Sequence, residues 1–593
     1  MQKTIYLLFS FCFCIALSNA QTQDWQWAKR GGGNSSMNTG SVIYSTGRDR
    51  VLEVAVDGDN NYYFLAEINS NNANYDGESI TTYGNSNRKD IFIFSTTCEG
   101  NFRWKKTIGG GFSDYANSLK VDNNNNVYVS GKTISFPNFT SVHFDTDTIK
   151  APAPAIGNLD ESFKGAFILK YNQDGDFQWL VEPEGILSSP LNGGVLRMDI
   201  DENNTVHTLL IFLEGEHLDG QLVVDEDDSQ TVIAKFDEDG NLLSYVLIDL
   251  EPGYNIGYDY QMVYDSNLDR YYIADTKRNG SDVISINGFG EATGNQKGFY
   301  LAAIDNQGEV IWHQESSRPN SWTLGDIKLD NNGDIYFTGV ANSNSSENDT
   351  FAGHVFEYTP SAGNGIPFLV KLDSDGDLIW GTNADLSTRF PGRSIALGNN
   401  DVYVGLGMTY SEWDNQIIDG IELGGFVPDP TLLRFNANTG SLEEVIRMPD
   451  NTSGQDEIMS IALDLNQNII MGGHFSGTLL ASHPLPTLSK LGGDSDFFIA
   501  KYGTNNCSLS TADFNTESLQ IKVYPNPAKH QVFFESSVRL NQVEVFNLQG
   551  KSLLQANLVQ NNKLDIQNLK AGLYILKITS QNGEQITKKL IVE

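Results

Sequence analysis

The side chains with the strongest claim to chemistry in this 593-residue chain are its acids, histidines and aromatics. Asp373-Ser374-Asp375-Gly376-Asp377 begins like a calcium loop, whose alternate acids would surround a hard cation with oxygens. Such a loop needs a distal bidentate acid, but Ile379-Trp380-Gly381 follows instead. Elsewhere the same position reads Asn172-Gln173-Asp174-Gly175 or Asp305-Asn306-Gln307-Gly308, so a turn required by every copy is favoured. No metal and no cofactor are expected, with Ca²⁺ as the alternative. His143, His217, His354 and His474 fall in or near long connections and could converge with Asp145, Glu216, Glu357 or Asp494 on a metal or acid–base site. Solvated loop histidines are the simpler reading. No nucleophile elbow, phosphate loop or dinucleotide fingerprint stands in a fitting context, so no catalytic residue is assigned.

Aromatic side chains could instead stack on a ligand. Trp27, Trp104, Trp179, Trp312 and Trp380 recur at one place in a repeat, which favours packing over binding. Tyr75, Tyr83, Phe139, Phe144, Trp322, Tyr358, Tyr410 and Trp413 lie in variable connections where no repeat rule demands them. With His143, all but Phe139 are carried forward as the candidate ligand-binding loop residues.

The elements that position these residues come from the repeat. One half-unit reads apolar–Asp–Asn/Gly-rich–apolar-Tyr-apolar, as in Val121 to Val129 and Leu329 to Phe337. The Tyr position recurs as Tyr63, Tyr128, His207, Tyr272, Tyr336, Tyr403 and Ile470. A second half-unit carries Lys, a turn glycine and then Trp, as in Phe167 to Trp179 and Phe368 to Trp380. Each half-unit reads as a β-hairpin, and two hairpins make a four-stranded antiparallel sheet. Such a sheet cannot bury both faces alone. Seven of them stacked radially give an all-β, seven-bladed β-propeller over 21–507.

The seventh repeat stops after Asp496–Tyr502 without its last strand. Asp24-Trp25-Gln26-Trp27-Ala28-Lys29 resembles the last strand of the first repeat, Phe102 to Lys106. The N-terminal strand is therefore expected beside Phe497–Tyr502, closing the ring and covering an open sheet edge. Cys98 and Cys507 then fall on neighbouring blades and could form a disulfide, with two free thiols as the alternative. Strand parity puts the long, dissimilar second-to-third-strand connections on one face, the expected binding face.

Both ends carry addresses. Lys3, the apolar stretch from Ile5 to Leu17 and Ser18-Asn19-Ala20 make a secretory signal peptide over 1–20, cleaved between Ala20 and Gln21. No other window is long enough for a transmembrane segment. A polar linker covers 508–519. Over 520–593, about seven short alternating strands predict a small Ig-like β-sandwich. The chain carries a net charge of −36, which argues against nucleic acid as a partner, yet 520–593 has nine Lys/Arg against five Asp/Glu. The acidity also suggests cationic rather than anionic partners.

Val127-Tyr128-Val129-Ser130-Gly131 and Ile335-Tyr336-Phe337-Thr338-Gly339 resemble the core of secreted bacterial β-propeller repeats. The tail resembles the type A C-terminal sorting domain of the type IX secretion system. The match is carried in order by Tyr524-Pro525-Asn526-Pro527, Val543 to Gly550, Leu569 to Tyr574 with Gly572, and Lys588-Lys589-Leu590-Ile591-Val592. Gly550 is read as a hairpin-turn residue and Gly572 as permitting a bend. This resemblance implies Sec export, recognition by the type IX machinery, and release or attachment to surface lipopolysaccharide. The reading favoured is a non-enzymatic binding or adhesion module for an extracellular glycan or protein. The alternatives are a polysaccharide hydrolase or lyase working at the central opening, and a structural surface-layer or motility component.

Overall fold

The computed structural model describes residues 23–34, 48–69, 72–84, 88–135, 140–146, 148–150, 163–185, 194–248, 260–277, 298–317, 323–341, 348–357, 365–385, 393–408, 411–414, 416–417, 428–448, 456–481, 483–504, 521–536, 539–547, 551–557, 562–580 and 585–592. The calls on Ala20, Gln21, Phe139, Trp322, Tyr358, Tyr410, Cys507 and Gly550 lie outside these residues. The chain divides into two units, 1–507 and 508–593. Among the described residues all regular structure is β.

In the first unit the chain repeatedly makes a four-stranded antiparallel meander. Arg50–Val56, Tyr62–Asn69, Lys89–Thr96 and Phe102–Ile108 form one such sheet, and Thr323–Leu329, Ile335–Ala341, Ile366–Leu372 and Leu378–Asn383 form another. The second and third strands are buried throughout, whereas the outer strand is mostly half-buried. The seventh set, Glu457–Leu463, Ile469–Phe475 and Asp496–Gly503, takes its outer strand from the start of the chain. Asp24–Gly32 pairs antiparallel with Asp496–Gly503, with Trp25 opposite Tyr502 and Gly31 opposite Phe497. Inner strands contact their successors in chain order, and Glu457–Leu463 contacts Arg50–Val56.

The recurrent tryptophan has a definite task. Trp27, Trp104, Trp179, Trp312 and Trp380 each donate their indole N–H to a turn carbonyl of the following sheet, at 2.8–3.1 Å. Each ring also covers that sheet's turn glycine. A Cβ at Gly175 would lie 2.6 Å from Trp104, and at Gly440 2.5 Å from Trp380. These glycines also have φ of 82° and 72°, which L side chains rarely adopt. Turn type and intersheet packing thus select the same residue.

The connections between second and third strands carry short two-stranded ribbons: Asn74–Tyr75 with Glu78–Ser79, Val142–His143 with Ile149–Lys150, Asp349–Phe351 with His354–Phe356, Glu412–Trp413 with Gln416–Ile417, and Thr478–Leu479 with Leu488–Ser489. In four of them an apolar residue precedes a left-handed turn position: Tyr75 before Asp76, Phe351 before Ala352, Trp413 before Asp414, Leu479 before Leu480. All four apolar residues are buried.

The second unit has a three-stranded sheet (Ile521–Tyr524, Gln531–Ser536, Lys563–Asp565) and a four-stranded sheet (Ser552–Asn557, Leu540–Phe546, Gly572–Ser580, Gln585–Val592). One apolar core including Val532, Val543, Leu576 and Leu590 serves this unit.

Candidate functional site

Among the described residues, the inner strands of seven sheets line one cavity of about 550 Å³, a size typical of small-molecule sites. An inner strand is an edge, and its N–H groups need acceptors. The chain supplies them at one repeated position. Glu53 accepts the Leu119 N–H at 2.6 Å, Ser118 that of Met198 at 3.3 Å, and Asp326 that of Ile395 at 2.9 Å. Ser394 accepts the Ile461 N–H at 3.1 Å, and Ser460 that of Val54 at 3.0 Å, across the chain's own seam. At the remaining junctions Asp199 accepts the Tyr264 N–H at 2.9 Å, and Gln261 donates to the Gly325 carbonyl at 2.8 Å. Sequence reasoning missed this girdle. Its signal was available as Glu53-Val54-Ala55-Val56-Asp57, Ser118-Leu119-Lys120-Val121-Asp122 and Ser460-Ile461-Ala462-Leu463-Asp464.

The carboxylates at the cavity are therefore committed. Asp199 also meets Lys120 at 3.4 Å, and Asp326 meets Lys328 at 3.1 Å. Burial pushes the Lys120 ammonium down, but Asp199 and Glu53 hold it above the usual lysine value.

Arginines join them. Arg50, Arg197 and Arg393 all line the cavity. Arg50 pairs with Glu67 at 3.1 Å, and Arg393 with Glu457 at 3.4 Å. Both acids are buried behind their arginines, and Glu67 also holds the buried Lys89 at 3.0 Å. Burial alone would raise Glu67 and Glu457, yet Lys89 and Arg50 hold the first, and Arg393 and Arg48 the second, below the ordinary carboxylate range. His474 is buried, 3.3 Å from an Arg48 nitrogen, and burial lowers its pKa to about 3, so the ring is neutral. Since Arg48 can only donate, the facing Nε2 is the acceptor.

The candidate loop residues end elsewhere. Tyr75, Phe144 and Trp413 are in the core, at 2%, 0% and 1% exposure. Tyr75 donates to the Gly100 carbonyl and Trp413 to the Thr382 hydroxyl. The expectation that they contact a ligand is corrected: a ribbon this short stays in place by inserting an anchor, and these rings are the anchors. Tyr83 and His143 are half-buried and stack on each other at 4.0 Å with planes 2° apart. The four histidines do not converge: His217 accepts from the Gly185 N–H, His354 lies 2.9 Å from Asn383, and His474 sits in the arginine cluster. Asp373 accepts the N–H groups of Asp375 and Asp377 at 2.9 and 3.0 Å, an Asx turn. Among the described residues no group of three or more His, Cys, Asp or Glu is placed to hold a metal ion, and no helix is long and apolar enough to cross a membrane. Cys98 is disulfide-bonded.

In the second unit, Asn526 clamps the final strand: its amide donates to the Lys589 carbonyl and its oxygen accepts the Ile591 N–H, both at 2.8 Å. Pro525 and Pro527 flank it. Leu590 is fully buried, Lys588 pairs with Leu576, and Tyr574 donates to the Lys570 carbonyl at 2.7 Å. Gly572 instead begins a regular strand opposite Val592, its φ is not left-handed, and a Cβ there would meet nothing closer than 3.8 Å. A bend at Ala571 immediately precedes this strand.

Comparison with known proteins fits both units. Residues 103–137 match the β-propeller repeat family, and residues 522–593 match the secretion system C-terminal sorting domain. The molecule is thus a β-propeller-repeat protein with an export tail. That tail is a type IX sorting domain, which directs the protein to the cell surface or the extracellular space.

The chain is 36% identical over 77 residues to beta-agarase D of Zobellia galactanivorans, covering 13% of this chain and 15% of that protein. It is 24% identical over 159 residues to an uncharacterized WD repeat-containing protein of Acanthamoeba polyphaga mimivirus, covering 25% of this chain and 11% of that one. Only a small part of either relative's length is spanned. Similar solved structures include the quinohemoprotein alcohol dehydrogenase of Comamonas testosteroni (10% identity, TM-score 0.31, 82% of this chain and 77% of that one). Others are the endosialidase of phage phi92 (9%, 0.34, 95% and 79%) and an ulvan lyase (10%, 0.34, 76% and 93%).

Proposed function

We propose that this is a non-enzymatic binding protein: a seven-bladed β-propeller closed by its N-terminal strand, followed by an Ig-like sandwich that serves export. It presents its ribbon-bearing face and central cavity to an extracellular glycan or protein, either released or held on surface lipopolysaccharide. The closed ring is supported by the inner-strand contacts in chain order and by the Ser460–Val54 hydrogen bond across the seam. One observation carries the binding reading. Each acid at the cavity gives an oxygen to a backbone N–H, as Glu53, Asp199 and Asp326 do, and Asp199 and Asp326 also meet lysines. A general acid or base needs a free lone pair or proton facing substrate.

The second reading, a polysaccharide hydrolase or lyase, keeps a specific support in those same carboxylates lining the opening. Glycan-array and surface pull-down binding by the mature protein, alongside reducing-end release and the ultraviolet absorbance of unsaturated sugars, separates the two. Retention of a glycan or protein without product is expected. Turnover of any bound polysaccharide sinks the non-enzymatic reading, and failure to retain any partner sinks the binding reading.

A further inference from the structure

The cavity of this acidic protein is basic. Its lining carries Arg50, Arg197 and Arg393 besides the paired Lys120 and Lys328. The acids there are held by strand edges, and the partners of Arg50 and Arg393 lie buried behind them. The Arg50 and Arg393 side chains keep 19% and 25% of their surface exposed, against 0% and 6% for Glu67 and Glu457. Arg50 and Arg393 thus turn Nε to their buried acids and leave part of each side chain on the cavity, while Arg197, which also lines it, turns Nε to Gln261 and Nη1 to the Asn117 carbonyl. Guanidinium is a planar, permanently charged donor that recognises oxyanions bidentately. The net charge of −36 was reason to expect cationic partners. That field is screened beyond about 8 Å at physiological ionic strength, whereas a group inside the cavity is within contact distance of the arginines.

We infer that the central cavity binds an oxyanion, a carboxylate or sulfate ester carried by an extracellular polysaccharide, through Arg50, Arg197 and Arg393. The inference rests on the binding reading above and names its ligand class. Buried, neutral His474 keeps Arg48 beside Glu457 without adding charge to the cluster.

The test titrates the mature full-length protein calorimetrically with an oligouronate, a sulfated oligosaccharide, a neutral oligosaccharide of equal length, and inorganic sulfate. At least one charged oligosaccharide binds and the neutral one does not. Arg393→Gln and Arg50→Gln each weaken that binding by about tenfold or more, the scale of one charge-assisted hydrogen bond. Arg393→Gln strands Glu457, so the paired R393Q/E457Q variant is measured beside it, with thermal melts confirming the fold. Inorganic sulfate binding as tightly as the polymers would support the oxyanion site and assign it to a free ion. Equal binding of neutral and charged oligosaccharides, or arginine variants that bind like the parent, overturns the oxyanion inference but leaves the binding reading intact. If neither charged oligosaccharide binds, the inference falls; only the array result decides whether the wider reading falls with it.

Discussion

The seventh sheet and the fifth perform the same task with differently sourced parts. In the fifth, all four strands run consecutively in the chain, and Lys371 pairs with Asp330 at 3.1 Å and Asp334 at 2.8 Å beneath the hydroxyl of Tyr336 from the same sheet. In the seventh, the Tyr position is Ile470. Lys501 meets Asp464 at 3.2 Å, and the hydroxyl comes from Tyr62 of the first sheet, at 2.9 Å from both. Lys501 is fully buried, whereas Lys371 keeps 10% of its side chain exposed. The ordinary Lys–Asp–Tyr cluster ties a sheet to itself; at the seam it ties one sheet to its neighbour. Trp27 adds a second tie, lying on Gly100 as Trp104 lies on Gly175. The difference teaches that the repeat's local chemistry is reused where the first and seventh sheets of the first unit meet.

The most severe way to break this comparison is to remove residues 21–32. That exposes the edge of Asp496–Gly503 and deletes Trp25, which packs edge-on against Tyr502 at 5.2 Å. Cooperative unfolding is expected to be lost, with aggregation through the bared edge. A calorimetric melt like that of the parent would show that the N-terminal strand is dispensable.

The next effect comes from sulfur. The Lys501 ammonium lies 2.9 Å from Cys98 Sγ, and Cys507 follows six residues later. The proposed Cys98–Cys507 bond would fasten the seam, contributing about 2–4 kcal/mol. Reductant, or Cys507→Ser, should lower the melting temperature accordingly. An intact mass of the mature chain that reductant leaves unchanged would rule out Cys507 as the partner of Cys98.

How far these features were legible depends on what repeated. The hairpin turns and the tryptophan recur at fixed spacing, so the place of the N-terminal strand beside Phe497–Tyr502 could be read from residue types alone, though not its register. The ribbon anchors could not, because Tyr75, Phe351, Trp413 and Leu479 share only apolarity and a following turn position in connections of unequal length. Aromatics in variable loops looked available to ligand; a short ribbon makes them core. The arginine lining was hidden for another reason. Arg50, Arg197 and Arg393 occupy different registers of their strands, and only the folded chain brings them to one cavity.

The smallest effect is a matter of protons, and it too belongs to the seam. Asp49 and Asp496 face the same point beside Gly32: a Cβ there would lie 2.7 Å from one carboxylate and 3.1 Å from the other. Burial raises Asp49 to about 7 and Asp496 to about 6. A raised carboxyl stays protonated in the fold after the unfolded chain has released its proton, so its stabilising share is full below about pH 4 and is lost as pH rises towards 7. Asp496 Oδ2 accepts the Leu491 N–H at 2.8 Å, while the buried Oδ1 has no hydrogen-bond partner. Asp496→Asn would place an amide nitrogen at Oδ1, facing Asp49. The variant should melt a few degrees above the parent near pH 8, where both carboxyls would otherwise ionise, and little differently near pH 5. The Arg30–Asp496 contact it weakens is long, 3.5 Å, between a buried Nη1 and a buried carboxylate. A variant destabilised equally at both pH values would mean that this ion pair, rather than carboxyl repulsion, governs the seam.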